Sequence, residues 1–245
     1  MEFWLFIIFI VFTGLLKLFV PTIKGKLGEA EVARRLSSLP KNEYRLINNV
    51  LLKTDRGSVQ IDHIVVSIYG IFVIETKNYK GWIYGSENSD NWIQYLYKKE
   101  YSFHNPISQN YSHILALKKI LRMDEYKFIS IVVFLSNSKL NIHTLTPVVY
   151  ISELNKTIKN YTKQRLHISK LDKIVTKINS LNIDSKDNRK SHIKSVKNNI
   201  CTMNSTIHSG KCPKCGGKLV ERKGKYGVFP VSYTHLRAHE TGRNL

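Results

Sequence analysis

The spacing of apolar residues changes several times along the chain. From Phe3 to Val20 almost every position is apolar, interrupted only by Thr13, Gly14 and Lys17. Such a run just reaches the length of a bilayer core. Lys17, Lys24, Lys26, Arg34 and Arg35 follow it, only Glu2 precedes it, and no small-x-small cleavage pattern succeeds it. Residues 1–21 are therefore expected to form a single-pass transmembrane anchor, with the body of the chain cytoplasmic. After Pro21 the period becomes helical. Val32, Leu36 and Leu39 predict a helix from about Lys24 to Leu39, with Glu29 on the same face. A first-turn glutamate also satisfies the helix dipole, so its place there has a purely structural explanation.

The next segments are rich in β-branched residues. Tyr44–Leu52, Val59–Val66 and Ile71–Thr76 read as strands, joined by turns at Thr54–Gly57 and at Tyr69-Gly70. The second and third are apolar on both faces, which places them inside a covered sheet. Two or three short strands are expected in the aromatic-rich stretch from Tyr79 to Phe103. Its aromatic side chains are read chiefly as packed, and base stacking beside Lys80, Lys98 and Lys99 is the lesser reading. Asn105-Pro106 is a helix start. That helix runs to about Leu121, with Gln109 and His113 on one face and Ile114, Leu117, Ile120 and Leu121 on the other. Residues 136–182 are expected to pack on the core. Strands are predicted at Ile129–Leu135 and Pro147–Ile151, and helices from Ser152-Glu153-Leu154 to Tyr161 and from Lys170 to Leu181. Residues 183–210, rich in Lys, Asn and Ser, read as a flexible basic linker able to neutralise phosphates.

Three ionisable residues break the buried strands: Asp62, Glu75 and Lys77. A buried carboxylate is costly without a compensating cation or hydrogen bonds. Alternation puts Glu75 and Lys77 on one face, and pairing of the two strands would bring Asp62 to Glu75. Two carboxylates at a sheet end form a site for a hard divalent ion.

An aspartate followed on the next strand by Glu-x-Lys resembles the restriction-endonuclease-like core, an α/β fold with a mixed central sheet flanked by helices. More closely, residues 24–135 resemble the nuclease-related domain, NERD. The matching pieces are Gly28-Glu29, Ile61-Asp62-His63, Glu75-Thr76-Lys77-Asn78-Tyr79, Gly81-Trp82, and Asn105-Pro106 with Gln109-Asn110. The resemblance implies a metal-dependent nuclease. Asp62, Glu75 and the Thr76 carbonyl would hold Mg²⁺ or Mn²⁺. Lys77 would orient or activate the water, or stabilise the transition state, and Glu29 and Gln109 would stand nearby.

Composition adds a partner. The net charge of +20 favours a polyanion, either nucleic acid or an anionic membrane surface. Three cysteines make no disulfide framework and fit a reducing compartment. Two of them, Cys212 and Cys215, lie in Cys-Pro-Lys-Cys-Gly-Gly, and residues 211–229 resemble the first half of a topoisomerase-type zinc ribbon. A tetrahedral site needs four ligands. The second cysteine pair is missing, so the site is expected to be incomplete, and His235 and His239 are not read as its ligands. Residues 230–245 resemble a translated adapter joined to a truncated frame and are expected to be a non-native tail. Cys201 has no assigned role.

The reading is thus a membrane-anchored, Mg²⁺-dependent nuclease acting on nucleic acid, DNA for preference. One alternative is a non-catalytic nucleic-acid-binding module on a membrane tether. Another is a membrane-surface protein whose basic linker binds anionic lipid. Oligomeric state is not legible.

Overall fold

The protein is seen in a computed structural model that describes residues 4, 24–55, 57–135, 138–213, 215–224 and 227–232. The expected anchor lies almost wholly outside the described residues. Among the described residues no helix is long and apolar enough to cross a membrane. Contacts divide the chain into two units, meeting between Asp184 and Ser185.

The first unit is built on a five-stranded mixed sheet. Its strands are β1 (Tyr44–Thr54), β2 (Gly57–Ser67), β3 (Gly70–Lys77), β7 (Phe128–Phe134) and β9 (Val148–Tyr150), in the order β1-β2-β3-β7-β9. β1, β2 and β3 form an antiparallel meander through the two expected turns; β7 and β9 then add in parallel. Parallel neighbours require crossover connections: a helix at residues 106–121 lies in the one between β3 and β7, and a strand of another sheet, residues 138–143, lies in the one between β7 and β9. One face carries α2 (Pro106–Leu121) and α4 (Leu171–Leu181), whose Ile114, Leu117, Leu121, Ile174 and Ile178 pack on Ile64, Val66, Ile71 and Val73. The other face carries α1 (residues 24–36) and α3 (Leu154–Lys159), through Val32, Leu36, Leu154 and Ile158 on Val65, Phe72, Ile74 and Ile131. Coverage on both sides explains why β2 and β3 lack polar alternation. The α/β class and the central mixed sheet agree with expectation.

A second, four-stranded sheet has the order β6-β5-β4-β8, formed by β4 (Gly81–Ser86), β5 (Asn91–Leu96), β6 (Lys99–His104) and β8 (Ser138–His143). It divides the aromatic residues that were expected mainly to pack. Trp92, Tyr79 and Phe103 join a core with Phe134 and Ile107, whereas Trp82, Tyr84, Tyr95, Tyr97 and Tyr101 remain exposed. Pleating sends neighbouring residues to opposite faces, and only one face of this sheet is covered. Gly81 starts it with φ +80°, and a Cβ there would lie 2.2 Å from the Tyr95 carbonyl oxygen, so this close strand entry admits glycine alone.

The second unit corrects the expected flexible linker. Residues Lys186–His208 form a helix, α5. Ser185 caps it by accepting from the Asn188 amide, and no Pro or Gly interrupts residues 186–208. Low hydropathy disguised a segment whose residues are individually compatible with a helix. Beyond it, β10 (Leu219–Gly224) and β11 (Gly227–Ser232) form a hairpin. β11 runs through Ser232 and so takes in the first three residues of the expected tail; residues 233–245 lie outside the described residues.

Candidate active site

The site lies where β3 ends. Antiparallel pairing of β2 with β3 runs from Ser67↔Gly70 to His63↔Ile74, so Asp62 and Glu75 occupy the next rung on the same face. β3 keeps parallel register with β7 through Lys77↔Phe134, which fixes Glu75 and Lys77 on that face two residues apart. The Thr76 amide donates to Asp62 Oδ2 at 2.9 Å, tying the two strand ends together.

Helix α2 closes the site from above. Asn105 begins it: its Oδ1 accepts from the Ile107 amide, and its Nδ2 donates to the Ser86, Glu87 and Ser89 carbonyls. One turn on, buried Asn110 donates through Nδ2 to the Val73 carbonyl (2.7 Å) and to Ser130 Oγ (2.8 Å), pinning the helix across β3 and β7. This fixes Gln109, whose Oε1 accepts from Lys77 Nζ at 2.9 Å. His113, one turn further along α2, places Nδ1 3.6 Å from Glu75 Oε2.

Lys77 Nζ also donates to Glu75 Oε1 at 2.7 Å. Glu75 is only 3 % exposed. Its second oxygen, Oε2, is buried and makes no hydrogen bond among the described residues. Burial pushes the Glu75 carboxyl up, against the opposing pull of Lys77, and the charge of Glu29 pushes the same way as burial. Burial also raises Asp62, and the facing Glu75 adds to it, so that its pKa reaches about 7. For Lys77, burial works to lower the pKa, but Glu75 outweighs it, and the net shift is upward. The ammonium form is therefore retained at neutral pH.

Glu29 reaches this end because α1 docks closely. A Cβ on Gly28 would lie 3.1 Å from Asn78 Cβ, and Asn78 Nδ2 donates to the Lys24 carbonyl at 2.7 Å. The Gly28-Glu29 and Lys77-Asn78 pieces of the sequence thus meet in space.

Asp62, Glu75, Thr76, Lys77 and Gln109 are brought together as expected, with Glu29 near enough to act on Glu75 by charge. His63 lies on the opposite face of β2 and is not part of the site. It bonds Asn48 Oδ1 at 2.8 Å, and burial lowers its pKa to about 4. His113 is closer to the chemistry than the sequence suggested. The signal was its i+4 spacing from Gln109, which puts both on one helix face. Asn110 is the other addition, as the anchor of α2.

The donor set suits a hard divalent cation: two carboxylates on one rung, a backbone carbonyl between Glu75 and Lys77, and a buried carboxylate oxygen that makes no hydrogen bond among the described residues. No group of three His, Cys, Asp or Glu suited to a metal occurs among the described residues. Two carboxylates plus a carbonyl would leave the remaining positions to water and substrate, as Mg²⁺ commonly does. In the second unit, Cys212 and Cys215 flank a knuckle in which the Cys212 amide donates to the Gly217 carbonyl and the Gly216 amide to the Cys212 carbonyl.

Residues 24–135 match the family model of the nuclease-related domain, NERD. An uncharacterized protein of Bacillus anthracis, pXO1-01, is 39% identical over 202 residues, which span 80% of this chain and 95% of that protein. Among solved structures, the crystal structure of AF1548, a protein of unknown function, is similar with 15% identity and a TM-score of 0.30, over 70% of this chain and 95% of that one.

Proposed function

The chain belongs to the nuclease-related domain family, and from that premise we propose that it hydrolyses phosphodiester bonds of nucleic acid with the help of a divalent cation. The observation that carries this reading is the buried Glu75 Oε2, which makes no hydrogen bond among the described residues and has His113 Nδ1 at 3.6 Å, together with an Asp62 on the next rung whose pKa burial and the charge of Glu75 push up to about 7. A binding surface has no use for two acids held at this cost, whereas a cation between them removes it.

Asp62, Glu75 and the Thr76 carbonyl would hold Mg²⁺ or Mn²⁺. When bound, such an ion supplies positive charge against a phosphoryl oxygen and against the attacking water. Lys77, whose ammonium donates to Glu75 and Gln109, would orient or activate that water or stabilise the developing charge at the phosphate. Gln109 fixes the ammonium from the helix side. Glu29 and His113 flank Glu75 and complete the polar wall. DNA is the preferred substrate in this reading. The core would then be of the restriction-endonuclease-like kind, an inference supported by the Asp62, Glu75 and Lys77 arrangement.

The test is cleavage of single- and double-stranded DNA and RNA by the purified chain, in Mg²⁺ and in EDTA. Cleavage in Mg²⁺ that EDTA abolishes is expected. Tight binding with no cleavage in Mg²⁺ or Mn²⁺ would instead favour the non-catalytic tethered module.

Two further parts of the reading concern the ends of the chain. The apolar run at residues 3–20 supports attachment to a membrane with the body cytoplasmic. Cys212 and Cys215 would supply only two of the four ligands that a structural zinc needs, so the zinc site of this chain is read as incomplete. Sedimentation with membranes, reversed by detergent and not by salt, checks the first. Zinc analysis of the purified chain checks the second.

A further inference from the structure

At the opposite end of the sheet, six cations converge on one concavity. Arg122, Lys127, Arg165, Lys170, Lys173 and Lys177 line a cavity of about 630 Å³, with His167 beside them and no acidic residue in the lining. They come from separate places in the chain: the C-cap of α2, the short helix before β7, the loop before α4, and α4 itself. Of the ion pairs among the described residues, one touches this set, Lys127 with Asp124 at 2.9 Å. The dipole at the C-terminal end of α2 accounts for a cation at Arg122. It does not account for Lys170, Lys173 and Lys177, which belong to other elements. Like charges gathered in a concavity repel one another, and an anion relieves that repulsion.

The position relative to the candidate active site follows from two elements. Gly70, at the start of β3, lies against the Lys127 carbonyl and the Arg165 side chain, whereas Glu75 and Lys77 end the same strand. Along α2, Gln109 is at the site and Arg122 is at the cavity. Thirteen residues at 1.5 Å each separate them by about 20 Å. That is roughly six base pairs of duplex at 3.4 Å per step.

We propose that this cavity is a second, non-catalytic contact that grips the phosphate backbone of the nucleic-acid substrate about 20 Å from the cleavage point. It rests on the nuclease reading for its substrate, and it adds a length requirement: only strands long enough to span both places gain from it.

The experiment compares the full chain with its Lys170→Ala/Lys173→Ala/Lys177→Ala variant. All three lysines are exposed, and alanine favours helix, so folding is not at risk. Binding to a 30-base-pair DNA duplex is measured in EDTA from 50 to 300 mM KCl. The slope of log K against log salt should fall in magnitude by about 2 to 3, since each neutralised phosphate contributes about 0.9. With a hairpin whose stem has four base pairs, the two proteins should bind alike. Hydrolysis of bis(p-nitrophenyl) phosphate in Mg²⁺, a substrate too small to span, should also be alike. An unchanged slope on the long duplex overturns the inference, as does an equal loss on the short hairpin. Loss of ATP binding in the variant with the DNA slope intact overturns it in favour of a small phosphorylated ligand. The two readings fail separately. A changed slope without any hydrolysis removes the nuclease and keeps the contact, and hydrolysis with an unchanged slope does the reverse.

Discussion

Replacing Lys77 by alanine should lower Mg²⁺-dependent cleavage by roughly 10²- to 10⁴-fold, the range expected when a positioned charge or proton-transfer group is removed from an active site. Glu75→Ala should do the same or more. Binding of nucleic acid at low salt should persist in both variants, because most of the +20 charge lies elsewhere. Folding has to be measured alongside. Lys77 Nζ is the hydrogen-bond donor to Glu75 Oε1 in a nearly closed environment, and stranding one member of such a pair costs about 3 to 5 kcal/mol. The double variant Glu75→Gln/Lys77→Met removes both charges together and should recover much of the lost stability without recovering activity. Rates from single-turnover cleavage and midpoints from urea unfolding separate the two effects. Full activity in both single variants would remove the site from consideration.

The second large effect is on stability. Without a divalent ion, Asp62 in the folded chain holds its proton up to about pH 7, against 3.8 for an ordinary aspartate. The raised pKa makes a contribution that is complete below pH 3.8 and lost as pH rises through about 7. The difference corresponds to at most roughly 4 kcal/mol. His63 has the opposite sign. Its pKa is lowered from 6.5 to about 4, so its contribution is present above pH 6.5 and lost as pH falls through about 4. Between pH 4 and 6.5 the two oppose each other; above 6.5 Asp62 acts alone of the pair. At pH 8 Asp62→Asn, which keeps an oxygen for the Thr76 amide, should therefore raise the melting temperature of the metal-free protein. Mg²⁺ should raise that of the original chain by linkage, worth about 2.7 kcal/mol at a hundred times Kd, and leave the variant unmoved. A variant no more stable than its parent, together with a parent indifferent to Mg²⁺, would mean that the acids do not share an ion.

Much of this site was legible in one dimension because strand geometry is strict. A period of two puts Glu75 and Lys77 on one face, and the Tyr69-Gly70 turn fixes which residue of β2 meets Glu75. The helix start at Asn105-Pro106 was equally plain, since capping chemistry is local. Low hydropathy at residues 186–208 predicts a flexible linker, yet they form a helix, because a capped segment free of Pro and Gly can do so with little burial. The exposed aromatics on β4 and β5 escaped for another reason. Alternation says that two faces differ, but not which of them is covered.

By itself, then, the sequence determined the strand and helix order of the first unit apart from β8, which it did not predict, the acids and the lysine at the end of β3, and the excess of positive charge. These depend on neighbours a few residues apart. The family resemblance placed Gln109 and Glu29 near the site, but tertiary structure alone set Gln109 against Lys77, His113 beside Glu75 and the charge of Glu29 on Glu75, and gathered six cations from separate elements about 20 Å away, about thirteen helical residues along α2. Those meetings are between residues tens of positions apart, and only the packing of helices on the sheet sets their distances.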